Sequence, residues 1–391
     1  MAKTKTLTFL KDVLICSLGA YGGPESHYGV FSQQLVEKRG YLSAEELSEY
    51  IALTSLLPGP SSTQTLMAIG YQVGGRRLAL WTLLVWALPV VTLMTLMSFS
   101  QTWLTRLNLD AAGLRYLAPL AVAFIVVAMI NLVKKSWTSP LPVVLALVSF
   151  GLSLVFRMIW LLPLLMLLGG AVMMRSRRVS IAIPWRSLKP PWWVLGVFVF
   201  IALGTALITP WTDSLLLTLF DAFYRYGYFV IGGGQVLVPY MYTGLVETFG
   251  FLDSEAFMTG FGLVQGLPGP MFSFSAYAGG MAAVGEPPLV QVSAALLSAV
   301  GIFLPAVLMI YFFYPMWAQL KAHQNIRVAL QGVVAVAIGI IAATAVRLFI
   351  ALPSTWDTTL MVFLVTGLML TKKVPAPLVV LGVILIGFIF V

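Results

Sequence analysis

Shifted by 210 residues, the chain lies on itself. Gly22-Gly23 meets Gly232-Gly233, Leu35-Val36-Glu37 meets Leu245-Val246-Glu247, and Leu57-Pro58-Gly59-Pro60 meets Leu267-Pro268-Gly269-Pro270. Without a gap, 16 of the 54 positions from 22 to 75 are identical, which identifies a duplication. Past a six-residue insertion near Glu286-Pro287-Pro288, Leu88-Pro89 matches Leu304-Pro305 and Arg115 matches Arg327. Any fold must therefore hold two copies of one unit. The copies are expected at residues 1–185 and 213–391, joined by a span at 186–212.

The solvent for both copies is lipid. Only 9% of the residues are charged and 60% are hydrophobic, whereas a soluble domain carries about 25% charged residues. Apolar runs such as Ala118 to Val133, Leu141 to Phe156, Trp192 to Leu207, Val328 to Val346 and Val374 to Val391 are each long enough to cross a ~30 Å hydrocarbon layer. The expected fold class is an all-α polytopic protein of the inner (cytoplasmic) membrane, with the bilayer as its first partner. The net charge of +9 comes from short Lys/Arg clusters between apolar runs and not from one basic stripe, so no nucleic-acid partner is expected. Cys16 is the one cysteine and His27 and His323 are the two histidines, too few for a thiolate, multi-histidine or haem site. The chain also lacks a GxxxxGK[ST] loop for ATP. No metal or other cofactor is expected.

Two stretches in each half are apolar but interrupted at the middle. In the first half they run Leu7 to Tyr21, Gly22-Gly23-Pro24, Glu25 to Val36, and Leu47 to Leu57, Pro58-Gly59-Pro60, Ser61 to Val73. Proline removes an amide and clashes with the preceding turn, and glycine permits a sharp change of direction, so both motifs are predicted to break helices. In lipid, non-helical backbone persists only where protein or a water-filled cavity covers it. Paired broken helices in related halves point to a transporter's central site; the plain alternative is that they are packing kinks.

Charge placement orients the halves. The loops at Glu37-Lys38-Arg39 and Gly74-Gly75-Arg76-Arg77 are basic, whereas their partners Glu247-Thr248-Phe249 and Val284-Gly285-Glu286 carry only acids. The positive-inside bias places the first pair, with the N-terminus, in the cytoplasm and the second pair outside. The repeats are thus expected to be inverted, with Leu47 to Val73 and Ala256 to Ala283 as re-entrant hairpins tipped by Pro-Gly-Pro. Further spans are predicted near 78–99, 114–133, 140–156, 158–174, 192–210, 289–313, 328–349, 355–371 and 374–391. If the Gly-Gly-broken segments turn back or cross twice, 18 of the 23 Lys and Arg face inside. The sequence leaves open which of the two they do.

A new half-helix starts after each break, so four N-termini, near Glu25, Ser61, Gln235 and Met271, are expected to meet near the midplane. Each carries about +0.5 of partial charge and free amides, and together they offset up to ~2 negative charges, which suits a tetrahedral dianion. The expected substrate-binding residues of the first half are Gly22, Gly23, Pro24, Gly59, Pro60, Ser61, Ser62, Thr63 and Gln64. Those of the second half are Gly232, Gly233, Gly234, Gln235, Gly269, Pro270, Met271, Ser273 and Ser275. Their hydroxyls and amides can donate to oxyanion oxygens; helix capping is the alternative for each hydroxyl. Arg225, within Phe223-Tyr224-Arg225-Tyr226, joins them because an arginine at the bilayer centre costs about 2.5–3.5 kcal/mol, unless it snorkels to the interface. Glu25 and His27 stand where the second half has Gln235 and Leu237, and this asymmetry makes them candidates for proton or counter-ion coupling. Glu25 otherwise serves only the helix dipole.

These residues resemble the chromate ion transporter family, in its long, two-domain form. The resemblance rests on Tyr21-Gly22-Gly23-Pro24, His27, Leu35-Val36-Glu37-Lys38-Arg39, Leu57-Pro58-Gly59-Pro60 and Gln64, then Arg225, Gly232-Gly233-Gly234, Leu245-Val246-Glu247 and Leu267-Pro268-Gly269-Pro270. It implies efflux of chromate across the inner membrane, with sulfate as competitor, and antiparallel halves. Ile15, Ala20-Tyr21, Val230-Ile231 and Phe274 depart from the family's pattern. The expected function is a secondary active exporter of a tetrahedral oxyanion, chromate first and sulfate next, with a homodimer left open. A passive anion channel and a membrane-embedded enzyme on a phosphorylated or lipid substrate are the rival readings. The enzyme needs a paired nucleophile and base, and only Ser26 beside His27 comes near, although adjacent helical residues do not face each other.

Overall fold

The computed structural model describes residues 2–100, 114–136, 139–156, 158, 160–178, 189–229, 237–317 and 325–389. Their regular structure is entirely helical. In chain order it comprises α1 (Ala2–Gly19), α2 (Pro24–Phe31), α3 (Ala44–Leu56), α4 (Ser61–Met97), α5 (Leu117–Ser136), α6 (Pro140–Val155), α7 (Leu161–Ser176) and α8 (Trp192–Ile208). There follow α9 (Leu215–Phe229), α10 (Leu237–Tyr242), α11 (Ser254–Gly266), α12 (Phe274–Ala282), α13 (Pro288–Phe313), α14 (Asn325–Ala351), α15 (Trp356–Leu370) and α16 (Ala376–Ile389). Five of these stretches are long and apolar enough to cross a membrane, and α6, α7, α15 and α16 are shorter apolar helices. The helices lie within a few residues of the predicted spans. Trp192, Phe200, Leu203 and Leu207 on α8 are exposed, as expected of a helix whose solvent is lipid.

Both predicted breaks of the first half are present. Between α1 and α2 the backbone passes through Gly22 and Gly23 at φ +79° and +104°, the left-handed range that glycine tolerates. Pro24 then starts α2, where its missing amide is not needed. The segment turns back on itself, because Tyr41 packs on Phe9 with ring centroids 5.1 Å apart and donates to Asp12 at 2.7 Å. The arms of the next interruption are also antiparallel: Thr54 lies 2.7 Å from Thr65, and Tyr50 on α3 donates to Gln72 on α4 at 2.9 Å. Ser43 and Glu46 close a capping box at the start of α3. The arm α4 ends at Gly74 and Gly75, where the helix kinks before its long apolar continuation.

The sequence predicts one half-helix over Glu25 to Val36. In the structure α2 widens into a π-helical turn at Ser32–Glu37, and the matching Thr243–Thr248 does the same. Left-handed glycines also recur at the 210-residue offset: Gly40 and Gly250 at +60° and +63°, Gly59 and Gly269 at +114° and +107°, Gly75 and Gly285 at +73° and +95°.

Two compact units result. One comprises Met1–Thr95, Ile181–Gly234 and Pro268–Gln324, the other Leu96–Ser180, Gln235–Leu267 and Asn325–Val391. In the first, α13 packs along α9 and against α12. In the second, α14 packs on α6 and α7, and a methyl group on Gly332 would stand 2.0 Å from the Gly169 carbonyl oxygen, so those backbones approach as only glycine allows.

Candidate functional site

The two interruptions of the first half meet. His27, one turn into α2 and 1% exposed, places Nδ1 3.0 Å from Ser62 Oγ at the start of α4. Its ring stands edge-on to Trp86, centroids 5.2 Å apart, and Trp86 Nε1 donates to Thr63 Oγ1 at 3.1 Å. The next residues are likewise held. Gln64 Nε2 donates to the Pro58 carbonyl at 2.7 Å, across the break. Thr65 donates to Ser61 O at 2.9 Å. Ser61, Ser62, Thr63, Gln64, Gly59 and Pro60 are all buried, so the free amides of the α4 N-terminus point into protein and not into lipid.

The second Pro-Gly-Pro comes to the same neighbourhood. The Gly269 amide donates to Ala20 O at 2.8 Å, immediately before the Gly22-Gly23 break. Helix starts at Pro24, Ser61 and Met271 are thereby tied together, two by His27 to Ser62 and one by Gly269 to Ala20. Met271–Ser273 forms a 3-10 turn that runs into α12, and Pro270, Met271, Ser273 and Ser275 are buried.

Each tip packs on helices of the other half, at matching residues. A methyl group on Gly59 would stand 3.3 Å from Gly227 O on α9 and 3.5 Å from Ala306 on α13; one on Gly269 would stand 3.0 Å from Val90 on α4 and 3.7 Å from Ser17 on α1. Gly227 is Ser17 shifted by 210 residues, and Ala306 is Val90 shifted by 216, the offset after the insertion. The exchange is reciprocal. At the helix crossing in each half, Ser17 donates to Trp86 O at 2.7 Å, while a methyl group on Gly227 would stand 2.6 Å from Ile302 O.

Several buried polar atoms in this unit are without a hydrogen-bond partner: His27 Nε2, Gln64 Oε1, Ser273 Oγ and Ser275 Oγ. Buried polar groups are rarely left so, and these four lie within the residues singled out from sequence. Gly232, Gly233, Gly234 and Gln235 lie outside the described residues, as does the side chain of Glu25.

Two acids were missed by the sequence reading. Arg225 is held by Asp221, one turn earlier on α9, at 2.6 Å, and Asp221 also accepts from Thr205 at 2.6 Å. The i, i+4 spacing of Asp221 and Arg225 was the available signal. Asp12, 0% exposed, accepts from Gln34 at 2.9 Å, Arg39 at 3.0 Å and Tyr41 at 2.7 Å. Burial and the Asp12 carboxylate push the Tyr41 phenol up to about 12, so it remains a donor. This cluster clamps the returning chain to α1 and thus fixes the Gly-Gly break between them.

The chromate transporter family model matches residues 7–174 and again 217–388. A probable chromate transport protein of Synechococcus elongatus is 27% identical, over 99% of this chain and 95% of its own length. A chromate transport protein of Cupriavidus metallidurans is 25% identical, over 94% and 89%. One of Pseudomonas aeruginosa is 24% identical, over 87% and 79%. No solved structure matches the chain.

Proposed function

Since the chain belongs to the chromate transporter family, we propose that it is a secondary active exporter of chromate, with sulfate as a competing or second substrate. It is a multi-pass protein of the cytoplasmic membrane, and its relatives are named as transport proteins and not as enzymes. The observation that carries the reading is the gathering of three helix starts inside protein by the bonds from His27 to Ser62 and from Gly269 to Ala20. Free amides and partial positive charge at such ends suit a tetrahedral dianion without a full set of buried cations.

Antiparallel halves, 1–185 and 213–391 joined through the span at 186–212, are part of the proposal. They are supported by basic loops in one half and acidic ones at the matching places in the other. Glu25 and His27 have no polar equivalent of the same kind in the second half, and His27 Nε2 is buried without a partner. That difference makes Glu25 and His27 the candidates for proton or counter-ion coupling. The test is flux of labelled chromate and sulfate in proteoliposomes of the purified protein, with and without an imposed proton gradient. Gradient-driven accumulation against concentration is expected; flux that merely equilibrates would make the protein a passive channel, and none of either anion would remove the reading.

A further inference from the structure

The two Pro-Gly-Pro tips carry hydroxyls at the same places but treat them differently. Thr63 corresponds to Ser273 and Thr65 to Ser275 at the 210-residue offset. In the first tip both are engaged: Thr63 accepts from Trp86 Nε1 at 3.1 Å, and Thr65 donates to Ser61 O at 2.9 Å and lies 2.7 Å from the Thr54 hydroxyl. In the second tip Ser273 and Ser275 are each 0% exposed, and neither hydroxyl has a partner.

The sequence accounts for the difference residue by residue. The position matching Trp86 is Ile302, that matching Thr54 is Val264, that matching Ser62 is Phe272, and that matching His27 is Leu237. Each polar neighbour of the first tip has an apolar counterpart, yet the two hydroxyls are present. Desolvating a hydroxyl without compensation is unfavourable, and capping does not explain these two, because Pro270 leads the turn and no side chain caps it. They sit in the opening turns of a continuous helical segment from Met271 to Ala282, whose end is positive, and the Ser273 and Phe274 amides are already bonded within the turn, which leaves the two hydroxyls as the unused donors. Phe272 and Phe274 beside them are buried, so an anion arriving there exchanges its water for hydroxyl donors at a positive helix end.

We propose that the second tip, and not the first, holds the oxyanion, through the hydroxyls of Ser273 and Ser275, while the matching hydroxyls of the first tip are structural. The proposal rests on the oxyanion-transport reading above and locates its binding step. Two residues apart on a helical turn, the serines face different ways, so each is a separate contact on the anion's path. The stranded atoms of the first tip do not suit the anion in this way: Gln64 Oε1 is an acceptor that an oxyanion repels, and His27 Nε2 belongs to a coupling candidate.

The test compares Ser273→Ala and Ser275→Ala with Thr63→Val and Thr65→Val, for chromate and for sulfate, in proteoliposomes and by thermal unfolding in detergent. Each alanine variant is expected to raise the half-saturating concentration about 10-fold, the usual effect of losing a hydrogen bond to a charged group. Its unfolding midpoint should equal or exceed wild type, since an uncompensated buried hydroxyl has been removed. Each valine variant should keep the wild-type half-saturating concentration and lower the midpoint, because Trp86 or Thr54 loses its partner. Wild-type half-saturation in both alanine variants, or an equal rise in the valine variants, overturns the proposal alone. A wild-type protein that moves neither anion overturns the transport reading with it.

Discussion

Gly59→Ala tests the architecture of the first tip at its most constrained point. Gly59 has φ +114°, a region in which a side chain costs about 1–3 kcal/mol. The new methyl group would also stand 3.0 Å from Gln64 Nε2 and 3.3 Å from the backbone oxygen of Gly227. The Gln64 amide is the softer neighbour, and moving it breaks its 2.7 Å bond to Pro58 O, worth about 1 kcal/mol. The two effects sum to roughly 2–4 kcal/mol. Gly40→Ala is the control: its φ is +60° and a methyl group there meets nothing within 4 Å, so only the left-handed cost of about 1–2 kcal/mol applies. Thermal unfolding in detergent should rank wild type above Gly40→Ala and Gly40→Ala above Gly59→Ala, and only Gly59→Ala should also lose transport. On a Gln64→Ala background the Gly59→Ala penalty should shrink by the part due to the broken bond. Equal midpoints for the two glycine variants would refute the close approach at the tip, and normal transport by Gly59→Ala would show that the geometry of the first tip does not matter to the transport path.

For the orientation of the halves, single cysteines at Lys38 and Thr248, in a Cys16→Ala background, should react with impermeant reagent from opposite faces of the membrane; reaction from one face sinks the antiparallel proposal. For the clamp on α1, Asp12→Ala should cost about 2–4 kcal/mol, because buried Gln34 and the Tyr41 hydroxyl lose their acceptor. Arg39→Ala should cost less, about 1–2 kcal/mol, because Asp12 keeps Gln34 and Tyr41 as donors and water can enter where the 43% exposed arginine stood; equal midpoints for these two variants would refute the clamp.

The helices and their interruptions were legible because the signals are local. Apolar runs set the spans, and Gly-Gly-Pro or Pro-Gly-Pro forbids a continuous helix whatever lies around it. The candidate hydroxyls of Ser61 to Thr63 were legible for the same reason, as residues following a break. Partnership was not legible. Whether Thr63 is engaged depends on Trp86, more than twenty residues along the chain, and whether Ser273 is free depends on what stands at Ile302. The π-helical turns at Ser32–Glu37 and Thr243–Thr248 escaped because Leu-Val-Glu is an ordinary helical tripeptide, and such a bulge arises when packing favours an extra residue in the turn. Asp12 escaped because Gln34, Arg39 and Tyr41 reach it only once the chain has doubled back at Gly22-Gly23.

The source of positive potential at the site follows from the charges that are answered. Arg225, the arginine expected at membrane depth, has Asp221 at 2.6 Å. Arg39 is matched by Asp12. An arginine with a carboxylate against it presents little net charge to a dianion, since the two fields largely cancel beyond a few ångströms. Helix starts do not cancel in this way. Their amides are fixed by the backbone, require no counter-charge, and carry about half an elementary charge each. Three such starts are brought together by His27, Ser62, Gly269 and Ala20, and the residues that turn them inward are the proline and glycine interruptions themselves. On the proposed oxyanion transport, backbone dipoles would attract the dianion without a fixed lysine or arginine against it, which favours its release on the far side. In the proposed site the broken helices would thus supply the attraction, and the Ser273 and Ser275 hydroxyls the contacts.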